Sequence, residues 1–97
     1  MNESVAVRAD SQAGGWVCEV EVADEGDRTH HRVTVRPADV ARWARGSSQS
    51  DVEDLVRRSF EFLLEREPAS SILREFDLEV IQRYFPEYDR QFRRQVQ

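Results

Sequence analysis

The sequence predicts an α+β fold, in which an N-terminal two- or three-stranded antiparallel sheet packs against three to four C-terminal helices. Two observations support it. Between residues 4 and 36 apolar and polar residues alternate, which is the period of a half-buried strand. From residue 37 onward apolar residues recur at helical spacing. The 97 residues fit a single domain, with a sheet part at about 4–36 and a helical part at about 37–96.

Three strands are expected in the sheet part. Residues 4–9 form a short strand, residues 16–22 a second with Cys18 on its apolar face, and residues 29–36 a third with Val33 on that face. Residues 24–27 predict a turn, because Gly26 adopts positive φ readily. A hairpin that pairs Val22 with Thr29 would place Cys18 near Val33.

The helical part begins with Pro37, which suits a first turn, and Gly46 suits the end of that helix. Ser50 and Glu53 match the S-x-x-E capping box of a long central helix that Pro68 ends. Residues 69–75 predict a short helix or turn.

Asp77 is expected to cap the following helix. Pro86 separates that helix from a final amphipathic stretch at residues 87–96.

Composition argues against several classes of function. The net charge is −5, which repels phosphate backbones and argues against nucleic acid as a partner of the chain as a whole. The start of the chain has no signal-peptide pattern, no apolar run approaches the length of a membrane span, and Cys18 has no second cysteine to pair with. We therefore expect a cytoplasmic protein without a membrane partner.

No motif predicts catalysis, a cofactor or a metal site. His30 and His31 are neighbours in a strand and point to opposite faces, so they cannot readily chelate one ion. Cys18 lies in an apolar pattern typical of a buried thiol. Gly14 and Gly15 precede a strand, whereas phosphate-binding glycine loops precede a helix. The chain is predicted not to be an enzyme.

Arg66 lies at the edge of the apolar face of the central helix, where its guanidinium needs an acidic partner. Glu75 or Asp77 could provide that partner and join two helices. The alternative is that Arg66 binds an acidic partner protein.

Partner binding is the best-supported function, because the helical part has more aromatic residues than a small core easily accommodates. The alternative is that these residues close the core. The candidate partner-binding residues are Trp43, Phe62, Arg83, Tyr84, Tyr88 and Arg90.

The sequence thus favours a protein- or peptide-binding module, such as a small regulator or an antitoxin-like subunit. Its sheet edges could also pair with a second copy, as a homo-oligomer. A second hypothesis is nucleic-acid binding through Arg90, Arg93 and Arg94 near the C-terminus. A third is an accessory subunit of an enzyme.

Residues 50–89 contain a distinctive series of segments: Leu55–Glu67, Ser71–Arg74, Phe76–Leu78, and Ile81 with the ending Arg83-Tyr84-Phe85-Pro86-Glu87-Tyr88. Through these segments the chain resembles a group of small bacterial proteins of unknown activity. The resemblance implies a β-rich start followed by helices, and it transfers no site residues. The order of three strands and then helices also looks like the peptide-recognition domains of ribosomally made peptide pathways, at the level of topology.

Overall fold

A computed structural model describes residues 4–24 and 26–93. The predicted α+β class is confirmed, but the sheet in the described part has four strands instead of two or three. Strand β2 (Gly15–Asp24) pairs antiparallel with β1 (Ser4–Gln12) on one side and with β3 (Asp27–Val35) on the other. Strand β4 (Glu75–Asp77) returns from the helical part and lies parallel to β3, so β1 and β4 form the two edges.

The register of the second hairpin is the predicted one. Val22 lies opposite Thr29 and Cys18 lies opposite Val33. Gly26 has a φ of +92°, which a residue with a side chain rarely adopts. Alternation favours this register, because a slip of one residue would turn the buried valines of one strand toward solvent.

The helices are α1 (Pro37–Trp43), α2 (Gln49–Leu64), α3 (Val80–Tyr84) and α4 (Glu87–Phe92), with a 3-10 turn at Ala69–Ser71. The final stretch predicted at 87–96 is helical to residue 92, and residues 94–97 lie outside the described part. Pro37 occupies the first turn of α1, as expected. Gly46 does not cap that helix, because α1 ends at Trp43 and Ala44 is already extended.

The predicted capping box of α2 is wrong by two residues. The helix is capped by Ser48, whose Oγ accepts a hydrogen bond from the Asp51 amide at 3.2 Å, while Asp51 accepts from the Ser48 amide at 3.2 Å. Ser50 is already helical. Glu53 reaches the sheet instead and accepts from the Ala9 amide at 2.9 Å, which ties α2 to β1.

The fourth strand was not predicted, and Asp77 is its last residue rather than a helix cap. Helix α3 begins after Glu79, and no side chain caps it. Phe76 enters the core, while its neighbours Glu75 and Asp77 are exposed. This alternation is typical of a strand, but three residues are too few for the pattern to be recognised in the sequence.

Candidate functional site

Three of the predicted partner-binding residues lie in the core. Trp43 is 2% exposed, Phe62 4% and Tyr88 0%. The Tyr88 ring meets the edge of Trp43 at 5.1 Å and stacks on Phe92 at 4.3 Å between centroids. The expectation that these three residues are exposed anchors is therefore wrong, and the alternative that they close the core describes them correctly.

Polar atoms within this aromatic cluster are paired. The Tyr88 hydroxyl lies 2.7 Å from Ser59 Oγ, which donates to the Leu55 carbonyl at 2.7 Å. Burial raises the pKa of Tyr88, so the phenol stays protonated. The ring and its hydroxyl are thus committed to the fold.

Asp89 joins α1 to α4. Its carboxylate accepts from Trp43 Nε1 at 2.9 Å, from Arg42 Nε at 2.9 Å and from Arg93 Nη2 at 2.6 Å. The hydrogen bond from Trp43 and the two guanidinium groups hold the pKa of Asp89 below its usual range. One arginine of the basic C-terminal region, Arg93, is therefore paired within the protein.

Arg66 joins two helices, but through a different partner from the predicted ones. Its Nε lies 3.3 Å from Glu87 on α4, and Nη1 donates to the Phe62 carbonyl at 2.9 Å. Its guanidinium lies 3.5 Å from the centre of the Phe62 ring. Neither Glu75 nor Asp77 contacts it by an ion pair in the described part of the chain.

The other three predicted partner-binding residues lie on the surface. Tyr84 is 70% exposed, and Arg83 and Arg90 are exposed as well. Arg83 donates at 3.1 Å to Glu79, the residue that precedes α3. Of these three residues, Tyr84 contributes the large exposed hydrophobic surface.

Tyr84 lines an apolar groove of about 390 Å³ between the end of α2 and α3. Two large hydrophobic side chains are exposed within residues 4–24 and 26–93, Tyr84 and Leu73 (52%), and both line this groove. Its other apolar walls come from α2, the segment before β4, β4 itself and α3, namely Leu63, Ile72, Phe76, Val80, Ile81 and Phe85. The groove is the strongest candidate site because exposed apolar surface is concentrated there.

The wall that carries Leu73 is held against the sheet by His31. The buried imidazole donates from Nδ1 to the Leu73 carbonyl at 2.8 Å and accepts from the Thr29 hydroxyl at Nε2, 2.9 Å away. Burial lowers the pKa of His31, so the ring is neutral at pH 7. A fixed carbonyl keeps the exposed Leu73 side chain at the groove.

Three carboxylates lie in the groove or on the strand beside it. Glu67 lies in its wall, and Glu75 and Asp77 lie on the adjoining strand β4. None of these three carboxylates forms an ion pair with another residue in the described ranges. They remain available to a basic partner.

A second cavity, of about 600 Å³, is lined by Trp43, Phe92 and the arginines Arg45, Arg58 and Arg93. Arg93 is paired with Asp89, and Arg58 donates to Asp54 at 2.8 Å. The Arg58 guanidinium lies over the Phe92 ring at 5.2 Å. Two of its three arginines thus have internal partners, which weakens it as a phosphate site.

The Cys18 thiol is buried in the core. Burial is the main cause that raises the pKa of Cys18 to about 12, so the thiol is a poor nucleophile. In the described ranges, no group of three or more His, Cys, Asp or Glu side chains is placed to hold a metal ion.

None of the helices described here is both long and apolar enough to cross a bilayer.

Comparison with protein-family models, with curated proteins and with solved structures found no match to this chain. The resemblance of residues 50–89 to small bacterial proteins therefore stays a prediction.

Proposed function

We propose that this protein is a non-enzymatic module that binds a protein or peptide through the groove beside Leu73 and Tyr84, and that it serves as a small regulatory or antitoxin-like subunit. The observation that carries the proposal is that Leu73 and Tyr84, the two large hydrophobic side chains exposed in the described part of the chain, converge on one groove. Hydrophobic surface of this kind, bordered by charged residues, is typical of interaction sites.

The size and shape of the groove suit side chains of a partner. A volume of about 390 Å³ lies at the lower end of the range for ligand sites. Tyr84 is a residue type that often anchors interfaces, because it buries a large area and orders few rotatable bonds. The buried, unpaired Cys18 supports a reducing compartment such as the cytoplasm.

The nucleic-acid alternative has weaker support. Arg93 is paired with Asp89 and Arg83 with Glu79, so the C-terminal arginines offer less free positive charge than the sequence suggests.

Selection of peptides from a random displayed library on the immobilised protein would test the proposal. Selected peptides are then measured by fluorescence polarisation against the wild type, Leu73→Asp and Tyr84→Ser. Ala41→Asp is the control, because Ala41 is exposed on α1 and does not line the groove. Circular dichroism confirms that each variant is folded.

We expect peptides whose affinity falls by about 10-fold or more in either groove variant and less than about 2-fold in Ala41→Asp, as for the loss of an interface anchor. If every selected peptide binds all four proteins equally, the groove is not the binding site and the proposal is wrong.

A further inference from the structure

Strand β4 presents unpaired main-chain groups at the open edge of the sheet. The Arg32 amide donates to the Arg74 carbonyl at 2.7 Å, and the Leu78 amide donates to the Thr34 carbonyl at 2.9 Å. In a parallel ladder this pattern turns the N–H and C=O of Phe76 toward β3. The N–H and C=O of Glu75 and Asp77 therefore face away from the sheet.

The opposite edge of the sheet, strand β1, is protected, unlike the edge that β4 forms. On β1, the outward N–H of Ala9 donates to Glu53 at 2.9 Å, and its outward C=O accepts from Gln49 Nε2 at 2.9 Å. Helix α2 thus covers the middle of the β1 edge, as natural sheets commonly do with their edges. No described side chain bonds to the outward main chain of Glu75 or Asp77 in this way.

The open edge adjoins the groove. The side chain of Phe76 lies between Glu75 and Asp77 in the strand and lines the groove on the core side of the sheet. A strand added beside β4 would place alternate side chains on that core side, next to Phe76 and toward Leu73 and Tyr84. Its other side chains would lie on the outer face, beside the carboxylates of Glu75 and Asp77.

We propose that the partner binds as an extended segment that adds a fifth strand to β4, with apolar residues entering the groove and basic residues alternating with them on the outer face. This inference rests on the groove function proposed above. Charge complementarity supports it, because the carboxylates of Glu75 and Asp77 lie on the outer face and form no ion pair in the described part. Main-chain bonds give affinity in this mode, and alternate side chains give specificity.

Three labelled synthetic peptides provide the test. The first alternates arginine and valine over six residues. The second has the same composition arranged as a block of arginines followed by a block of valines, and the third alternates glutamate and valine. Their binding is measured by fluorescence polarisation, and the amides of the protein that gain protection are identified by hydrogen exchange monitored by NMR.

We expect the alternating basic peptide to bind about 10-fold or more tightly than either of the others. The amides of Glu75 and Asp77 should exchange at least about 10-fold more slowly in the complex, because exchange requires their new hydrogen bonds to open. The Phe76 amide already bonds to β3 and should change less.

A charge-matched pair of variants separates specific contacts from general attraction. Glu75→Gln with Asp77→Asn should weaken binding about 3- to 10-fold, as for two exposed ion pairs. Asp27→Asn with Glu61→Gln changes the net charge equally at exposed positions away from the groove, and it should weaken binding less than about 2-fold. Leu73→Asp should also weaken the binding of the alternating basic peptide.

The outcomes distinguish this inference from the function on which it rests. If selected peptides depend on Leu73 and Tyr84 but leave the Glu75 and Asp77 amides unprotected, the groove function holds and strand addition is wrong. If no peptide depends on the groove, both proposals fail. Equal binding of the alternating and block peptides, or equal weakening by both charge-matched variants, would also overturn strand addition.

Discussion

The buried hydroxyl pair of Ser59 and Tyr88 offers a quantitative test of where the C-terminal aromatic residues lie. Both residues are fully buried, with their oxygen atoms 2.7 Å apart. The Ser59 hydrogen is directed to the Leu55 carbonyl, so Tyr88 is the donor of the pair. Because one hydroxyl donates and the other accepts, removing them one at a time should lower the free energy of unfolding by different amounts.

Tyr88→Phe removes the donor and leaves Ser59 Oγ still bonded to the Leu55 carbonyl, so we expect it to lower the free energy of unfolding by about 1 kcal/mol. Ser59→Ala removes the acceptor and leaves a buried phenol without a partner, which should cost about 2–3 kcal/mol, allowing for the lost bond to Leu55 as well. The double variant buries no unpaired hydroxyl, so it should lower the free energy of unfolding by less than the sum of the two single variants.

Urea denaturation followed by tryptophan fluorescence measures these differences, since Trp43 contacts the Tyr88 ring. Fitted as a double-mutant cycle, the four proteins give the coupling between the hydroxyls. Costs below about 0.3 kcal/mol for both single variants, with no coupling, would mean that the hydroxyls are solvated. In that case Tyr88 would again be a candidate for partner binding.

Three further predictions concern other contacts. Asp89→Asn should lower the free energy of unfolding by about 1–2 kcal/mol at pH 7 and by less near pH 3. The pKa of Asp89 is lowered in the folded protein, so the stability that its carboxylate contributes is complete above about pH 4 and is lost as the pH falls through the folded-state pKa. Urea denaturation of both proteins at the two pH values measures this difference, and an equal loss of stability at both would contradict the prediction. Gly46→Ala should lower the free energy of unfolding by about 0.5–2 kcal/mol, because a Cβ at Gly46 would collide with the Asp51 carboxylate that caps α2, and thermal unfolding measures the loss. Cys18 should resist alkylation by iodoacetamide at pH 8 until the protein unfolds, as mass spectrometry would show, and rapid labelling of the native protein would contradict its burial.

The hairpin of β2 and β3 was predictable because one alternating pattern of valines determines its strands, its facing residues and its turn. The cap of α2 was not, because Ser48 and Ser50 are both followed three residues later by an acidic residue. The choice between them depends on Gly46, which leaves room for the Asp51 carboxylate. Glu53, the acidic residue of the competing box, instead accepts from the Ala9 amide of β1, and that contact is tertiary.

The groove was predicted in part. Tyr84 was recognised as a candidate, but Leu73 was not, because a single leucine in a short irregular segment has no periodicity from which exposure could be inferred. Its position depends on the bond between its carbonyl and His31, a residue 42 positions earlier in the chain. Exposure of Leu73 is therefore a consequence of long-range packing.

Tyr84 and Tyr88 have opposite environments although they are four residues apart. In one continuous helix, that spacing would put both rings on the same face. Here α3 ends at Tyr84, Phe85 has a φ of −132°, and α4 begins after Pro86, so the two rings lie on separate helices. Tyr88 enters the core, and Tyr84 is left at the groove. The break at Pro86 thus divides one aromatic sequence motif between stability and the proposed binding site.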